Sequence, residues 1–407
     1  MSESLRILAL EPYYGGSHRA FLDSWVERSA HRFTVLTLPP HHWKWRMRHS
    51  AASFAAEVRE ILGASASVST STSATTAGRP GDQRWDGLLV TSMVNLAELY
   101  GLLPAGLRGL PAVVYFHENQ LTYPSQSKED PRDAHFGLIH WTTMLAASEV
   151  WFNSEFHRRE LSGALDELLA AMPDSARSRP LRRQARQRLR QARVQAPGID
   201  AAPQRESLPG DPPGELPEEA LSILWAARWE HDKDPETFFA ALQLLVEAGV
   251  DFRVDVLGES FRRVPEVFQR ARESLGDRVR RWGYLPRRED YRQALAGADV
   301  FVSTARHEFF GLSAVEAMAS GAWPLLPRRL SYPELLSPLQ RPERFLWEGG
   351  AENLAARLRE LAGQRRDAEA WRRSLAPCIA AARRFAWCQR APELDRALVE
   401  AVRGSRS

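Results

Sequence analysis

The sequence predicts an α/β protein built from two doubly wound domains, and three observations carry that reading. The chain has 407 residues, too many for one ordinary hydrophobic core. Short apolar runs alternate with helical patterns along its length, as parallel βαβ units require. A Pro/Gly/Glu-rich stretch follows Pro197-Gly198-Ile199-Asp200 and runs to Glu218, reading as a surface loop between two such series. In the first series Leu5–Leu10, Phe33–Leu38, Gly87–Thr91, Ala112–Phe116 and Glu149–Asn153 read as strands. In the second, Ser222–Ala226, Phe252–Leu257, Val279–Gly283, Val300–Ser303 and Trp323–Leu326 do. The expected domains are therefore 1–196 and 197–385, with 386–407 a helix that returns to the first domain. A ligand cleft is expected between them, at the C-terminal ends of the strands.

Two compositionally biased segments read as inserts in the first domain. Residues of about 64–84, centred on Ala64–Gly81, are rich in Ser, Thr, Ala and Gly, with too few bulky side chains to build a core, and are expected to be disordered. Arg177–Arg193 holds eight Arg and no acid, and from Pro180 onward its residues favour helix. There Arg182, Arg186, Arg190 and Arg193 recur at three- and four-residue spacing, the pattern of one helical face.

Composition excludes several classes. No apolar run approaches the ~18–20 residues that span a bilayer, and Met-Ser-Glu-Ser at the start lacks a secretory pattern, so a cytoplasmic protein without a membrane is expected. The two cysteines, Cys378 and Cys388, fit a reducing compartment and neither a disulfide framework nor a cysteine zinc site. Net charge is only +3, but arginine dominates the basic groups and is unevenly placed.

The most informative stretch is Arg306-His-Glu-Phe-Phe-Gly-Leu-Ser-Ala-Val-Glu-Ala-Met-Ala-Ser-Gly321. It follows the apolar strand near Val300 and opens an Ala-rich helix, with Glu308 and Glu316 flanking the turn. Gly311 permits close backbone approach to a ligand, and a helix N-terminus favours an anion. Arg228 and Lys233 likewise lie between a strand and a helix, where two cations can hold a diphosphate and stabilise charge as it leaves. Asp232 and Asp234 bracket Lys233, but within a cation-supplied phosphate loop they are not read as metal ligands. After the first strand, Gly15, Gly16, Ser17 and His18 form a turn suited to a phosphate or sugar. The apolar strand Ala112–Phe116 ends in His117, Glu118, Asn119 and Gln120, a polar run where a site is expected. His41-His42-Trp43-Lys44-Trp45-Arg46 interleaves aromatic and basic residues, a pattern for stacking and phosphate contact. No third ligand is spaced to complete a metal site with its histidine pair.

Glu308 and Glu316 with seven residues between them, the intervening Phe309-Phe310-Gly311-Leu312 and the trailing Glu316-Ala-Met-Ala-Ser-Gly-Ala322 resemble the Glu-x(7)-Glu pattern of retaining glycosyltransferases of family 4. That resemblance implies GT-B architecture: two Rossmann-like domains facing across a cleft. The segment Ser222–Phe239 resembles the Gly-Arg…Glu-Lys-Gly loop of the same enzymes, with Arg228 and Lys233 at the matching positions, and His117 takes the place of a histidine that contacts the donor sugar. More narrowly, Glu11-Pro-Tyr-Tyr-Gly-Gly-Ser-His18, Leu38-Pro-Pro-His-His-Trp-Lys-Trp-Arg46, Thr91-Ser-Met-Val-Asn-Leu-Ala-Glu-Leu99 and Tyr115-Phe-His-Glu-Asn-Gln-Leu-Thr-Tyr-Pro124 resemble the tRNA-queuosine mannosyltransferases. The similarity covers most of the first domain and the centre of the second, but neither insert.

The resemblance implies a metal-independent, retaining transfer of mannose from GDP-mannose to the cyclopentenediol of queuosine in the anticodon of aspartate tRNA, with no cofactor. It places Glu308, His117, Arg228 and Lys233 in catalysis. Gly15, Gly16, Arg228, Lys233, Glu308, Phe309, Phe310, Gly311, Leu312 and Glu316 would hold the donor, with Glu316 accepting from the ribose hydroxyls. Ser17, His18, His42, Trp43, Trp45, Arg46, Glu118, Asn119, Gln120 and the arginines at 182, 186, 190 and 193 would meet the acceptor or the tRNA. Two alternatives stand beside it: a family 4 transferase using another nucleotide sugar or a non-RNA acceptor, and a catalytically silent nucleotide- or RNA-binding protein.

Overall fold

A computed structural model describes residues 4–68, 85–124, 134–172, 175–200, 220–260 and 264–404. The chain divides into two units, Met1–Gly198 with Trp387–Ser407, and Ile199–Ala386.

Unit 1 runs β1 (Arg6–Glu11), α1 (Gly16–Arg28), β2 (Arg32–Thr37), α2 (Trp43–Val68), β3 (Gly87–Thr91), α3 (Leu96–Leu102), β4 (Ala112–Phe116), α4 (Ala134–Ala146), β5 (Glu149–Phe152), α5 (Glu155–Ala170), α6 (Ser175–Gln191) and β6 (Arg193–Val194). Its all-parallel sheet has the order β2-β1-β3-β4-β5-β6. The central strands β3 and β4 are buried at every position, so each needs an unbroken apolar run rather than alternation. The chain returns here as α14 (Trp387–Gly404), which joins Trp25, Leu89 and Trp151 in one core cluster. Asp395 fixes that return by accepting from Trp25 Nε1 (2.8 Å), Ser29 Oγ (2.6 Å) and Ala30 N (2.8 Å).

Unit 2 runs β7 (Leu221–Ala226), α7 (Pro235–Glu247), β8 (Phe252–Leu257), α8 (Glu266–Leu275), β9 (Val279–Gly283), α9 (Arg288–Ala296), β10 (Val300–Val302), α10 (Leu312–Ala319), β11 (Trp323–Pro327), α11 (Tyr332–Leu335), β12 (Leu346–Trp347), α12 (Ala351–Gln364) and α13 (Ala368–Arg383). Its parallel sheet has the order β12-β11-β10-β7-β8-β9. Strand order reverses between β7 and β10 here, and between β1 and β3 in unit 1. In open α/β sheets such reversals leave a crevice at the strand C-termini, where ligands bind. Each sheet also has a two-residue sixth strand, too short to show any period in the sequence.

Two expectations about inserts are corrected. Ala64–Val68 are not structureless but continue α2, since alanine-rich sequence prolongs a helix already nucleated by its packed face. Residues 69–84 of that segment lie outside the described residues, as does the Pro/Gly/Glu stretch 201–218. The Arg-rich segment is no insert either. α6 belongs to unit 1, with Ala185 and Leu189 buried in the same cluster as Leu161 and Leu165 of α5. Among the described residues no helix is long and apolar enough to cross a membrane.

Candidate active site

The reversal point of unit 2 gathers the charges. Lys233 lies in the turn after β7; its side chain is only 9% exposed, and its ammonium sits 3.1 Å from Asp232 Oδ2 and 3.4 Å from Glu308 Oε2. It also donates to the His307 carbonyl at 2.7 Å. Thr304 Oγ1 donates to the Lys233 carbonyl and accepts from Trp225 Nε1, tying the end of β7 to the end of β10. Burial works against the Lys233 charge, but Glu308 and Asp232 outweigh it and hold its pKa above the ordinary lysine value. Glu308 moves the opposite way. Burial would raise its carboxyl, yet Lys233 beside it brings the pKa below the usual range. An ammonium and a carboxylate are thus both kept ionised in a largely dry setting, where charges act strongly. His307 between them is pushed down to about 4, by burial first and by Lys233 second, so it stays neutral.

Arg228 stands at the same strand end, half-exposed and 3.3 Å from Glu230. Its charge reaches both Lys233 and Glu308. A small cavity opens beside the pair, lined by Lys233, Glu308, Ser303, Ser313 and Tyr332 among others. Asp232 and Asp234 are occupied internally. Asp232 pairs with Lys233, while Asp234 caps α7 through Thr237 and pairs with Arg306 at 2.8 Å.

Gly311 starts α10 with φ +92°, and a Cβ there would lie 2.9 Å from the Tyr332 ring, so the turn needs glycine twice over. Phe309 and Phe310 are buried, the second edge-on to Phe385, and Leu312 is half-buried. The two phenyl side chains are packing groups, which leaves their backbone for any donor contact. Glu316 does not join the cavity. Its Oε2 accepts from Tyr291 OH at 3.0 Å, near Arg288, Arg292 and Asp200. Burial raises it to about 7 despite Tyr291, so the two glutamates differ in protonation near neutrality.

Unit 1 presents a different strand end. Gly15 has no room for a Cβ, which would fall 2.6 Å from Pro40, and Gly16 opens α1 at φ +51°. Ser17 is exposed, while His18 turns inward to Glu11, Nδ1 to Oε2 3.1 Å. The His18 ring stacks on His117 at 4.1 Å, and Phe21 and Tyr115 close around His117. Burial first, then the nearby His18 and His157, pushes His117 well below the ordinary imidazole value, keeping it neutral. Asn153 Nδ2 donates to the His117 carbonyl, and Ser92 Oγ to that of Glu118. Gln120 joins Glu118 to His140 of α4, and Asn119 is fully buried, accepting from Thr122. This polar run is therefore largely a framework that aims His117.

Ligand-type atoms of Glu11, His18 and His117 lie within 4.8 Å of one another. The two imidazoles face each other, however, so their in-plane lone pairs run side by side instead of converging. Glu11 is already engaged by His18 and by Tyr13 N.

Around the start of α2 the expected contact residues divide. Trp43 and Arg46 are both half-buried: Trp43 packs on Phe136, and Arg46 is engaged by the Pro39 carbonyl and the rings of His41 and His49. His42 and Trp45 are exposed. The four arginines do not form one free stripe. Arg182 and Arg186 both pair with Asp166 of α5, and Arg193 lies in β6, where it pairs with Glu149 and Glu400. Arg190 is exposed.

Sequence reading missed Glu11, Tyr291, Asn153, Ser92 and His140. Glu11 ends an apolar strand, and a carboxylate buried at such a place is the one local signal that pointed to it.

Two Rossmann-type parallel sheets, with a cation–carboxylate pair at the reversal point of the second, define a GT-B glycosyltransferase. Sucrose-phosphate synthase from Thermosynechococcus elongatus shares the fold at TM-score 0.68 and 15% identity, over 97% of this chain and 98% of that one. Anabaena HepE in complex with UDP and glucose does so at 0.63 and 15%, over 97% and 100%. Residues 211–374 match the glycosyl transferases group 1 family, and residues 6–194 match the tRNA-queuosine alpha-mannosyltransferase N-terminal domain. The Drosophila melanogaster tRNA-queuosine alpha-mannosyltransferase is 34% identical over 331 residues, 81% of either chain. The chain belongs to the tRNA-queuosine alpha-mannosyltransferase family. A more distant relative, the GDP-mannose:cellobiosyl-diphosphopolyprenol alpha-mannosyltransferase of Xanthomonas oryzae, is 30% identical over 107 residues, 26% of this chain and 28% of that one.

Proposed function

We propose that this glycosyltransferase moves mannose from GDP-mannose to the cyclopentenediol of queuosine in tRNA, in the anticodon of aspartate tRNA, retaining the α configuration. The observation that carries the reading is the identity with the Drosophila enzyme over 81% of both chains, since a shared GT-B fold alone would leave the acceptor open. GDP-mannose as donor is supported by the Xanthomonas relative, whose name includes it. A cytoplasmic location follows from a tRNA acceptor.

In this reading Lys233 and Arg228 receive the diphosphate. As the C1–O bond breaks, its electron pair passes to the phosphate oxygen, and both cations stabilise that charge more in the transition state than in the ground state. No metal is needed, because an ammonium and a guanidinium supply the positive charge. Glu308, ionised beside Lys233, accepts from the hexose hydroxyls, and backbone amides at 309–312 orient the ring. Glu316 accepts from the ribose in place of Tyr291. The acceptor hydroxyl bonds to C1 from the face the phosphate leaves, and its proton goes to the departing phosphate oxygen. Neutral His117 can donate or accept a hydrogen bond without adding charge.

The test is incubation with total tRNA containing or lacking queuosine, and with a panel of nucleotide sugars, followed by nucleoside mass measurement. A hexose added to queuosine only with GDP-mannose is expected. Addition from another donor corrects the donor, and no change in any nucleoside overturns the acceptor.

A further inference from the structure

Trp45 is 65% exposed, although indole is among the side chains most favoured by burial. It does not stand on a loose loop. It lies in the first turn of α2, between Trp43, packed on Phe136, and fully buried Met47. Arg46 ties the same turn to the Pro39 carbonyl. The indole is therefore held out on a rigid base, so stacking on it costs little ordering.

The stretch of chain that carries it has one sign of charge. No Asp or Glu occurs from Arg28 to Ala56, whereas Arg32, Lys44, Arg46 and Arg48 do. Lys44 and Arg48 are exposed on either side of Trp45, lying over the rings of Trp43 (5.8 Å) and Phe136 (5.1 Å). α2 begins after β2, at the C-terminal edge of the sheet that carries His18 and His117. Tyr13 joins the two places, packing on the cluster of Met47 and Phe136 while its ring meets His18 edge-on at 5.9 Å.

We propose that Trp45 is a stacking platform for an unpaired base of the RNA acceptor, with Lys44 and Arg48 taking the phosphates on either side. The proposal rests on the RNA reading above and deepens it by naming where a single-stranded nucleotide next to the modified one is held. An exposed aromatic flanked by cations fits unpaired nucleotides, because every base has a face to stack and a phosphate beside it. An acidic or apolar protein partner would leave one half of this pairing unused.

The test measures equilibrium binding of the full chain to a queuosine-containing anticodon stem-loop at several salt concentrations. Trp45→Ala is expected to weaken binding by about tenfold, and Trp45→Phe by less than about threefold, since a smaller ring still stacks. The Lys44→Ala/Arg48→Ala variant should lower the slope of log K against log salt by about 1.5. Melting temperatures unchanged within about 2 °C would place these effects at the surface rather than in the fold. Unaltered binding by Trp45→Ala, with the parent chain binding normally, overturns the platform and leaves the acceptor assignment intact. A parent chain that neither binds nor modifies tRNA overturns both. A dimer of the parent chain that Trp45→Ala dissolves assigns the indole to self-association and also overturns the platform.

Discussion

The strand ends of the two units solve opposite electrostatic problems. In unit 2, Lys233 and Glu308 are held charged by each other, while Arg228 favours the Glu308 charge and works against that of Lys233. In unit 1, burial and a neighbouring imidazole hold His117 neutral against rings of His18, Phe21 and Tyr115. A charged, preorganised site suits a leaving group that gains negative charge. A neutral, aromatic-walled one suits hydroxyls that must be placed without being ionised. One topology thus supports two chemistries, because each sheet fixes only where its loops gather and the side chains on them set the charge.

The largest expected effect comes from breaking the charged side. Lys233→Ala should lower kcat/KM by about 10²–10³-fold, or about 3–4 kcal/mol, measured as hexose transfer. It also strands Asp232 and Glu308, so melting must be followed alongside, and Lys233→Ala/Glu308→Gln should cost less stability than the single change. Near-normal transfer by Lys233→Ala would remove unit 2's site from catalysis.

Next comes a change that strikes unit 1 alone. Asp395→Ala leaves Trp25 Nε1, Ser29 Oγ and Ala30 N without their acceptor and should cost about 3 kcal/mol. Hydrogen exchange read by mass should accelerate in α1 and α14 while β7 and β10 keep their protection. Equal acceleration in both units would mean that they do not open separately.

A smaller loss tests the neutral side. His117→Ala should reduce kcat by about 10–10²-fold, with KM for the donor changing less. Because His117 is neutral well above its lowered pKa, wild-type kcat should show no limb from this group between about pH 6 and pH 8. A limb in that window that vanishes in the variant would refute the neutral assignment.

The smallest effect is the sharpest in sign. Glu316 is raised from its ordinary 4.5 to about 7, so the fold favours its protonated form. Its contribution to stability is therefore greatest below about pH 4.5 and is lost as pH climbs to about 7. Glu316→Gln should gain a few degrees, roughly 2–4 °C, in Tm near pH 8 and nothing near pH 4. A gain at low pH instead would reverse the assigned direction.

Much of this was legible before the fold was known. The apolar runs at Gly87–Thr91 and Ala112–Phe116 become strands with those bounds, since a doubly buried strand leaves continuous hydrophobicity in the sequence. Polar residues massed behind such runs marked Lys233, Glu308 and His117. The arginines of α6 show the limit. Three- and four-residue spacing is a local property, but whether a guanidinium faces solvent depends on α5, where Asp166 holds Arg182 and Arg186. Trp43 and Trp45 were indistinguishable by type, and only the position of Phe136 on α4 separates the packed indole from the exposed one.

The sequence by itself determined the alternation of strand and helix and the residue types set at each strand end, because both depend on neighbours along the chain. Tertiary structure alone decided that Lys233 meets Glu308, that Glu11 and His18 close on His117, and that Glu316 turns instead to Tyr291. Lys233 with Glu308, His18 with His117 and Glu316 with Tyr291 each join residues from separate βα units. Their distances, and hence their ionisation, are set by the order in which strands lie in the sheet and not by their order in the chain.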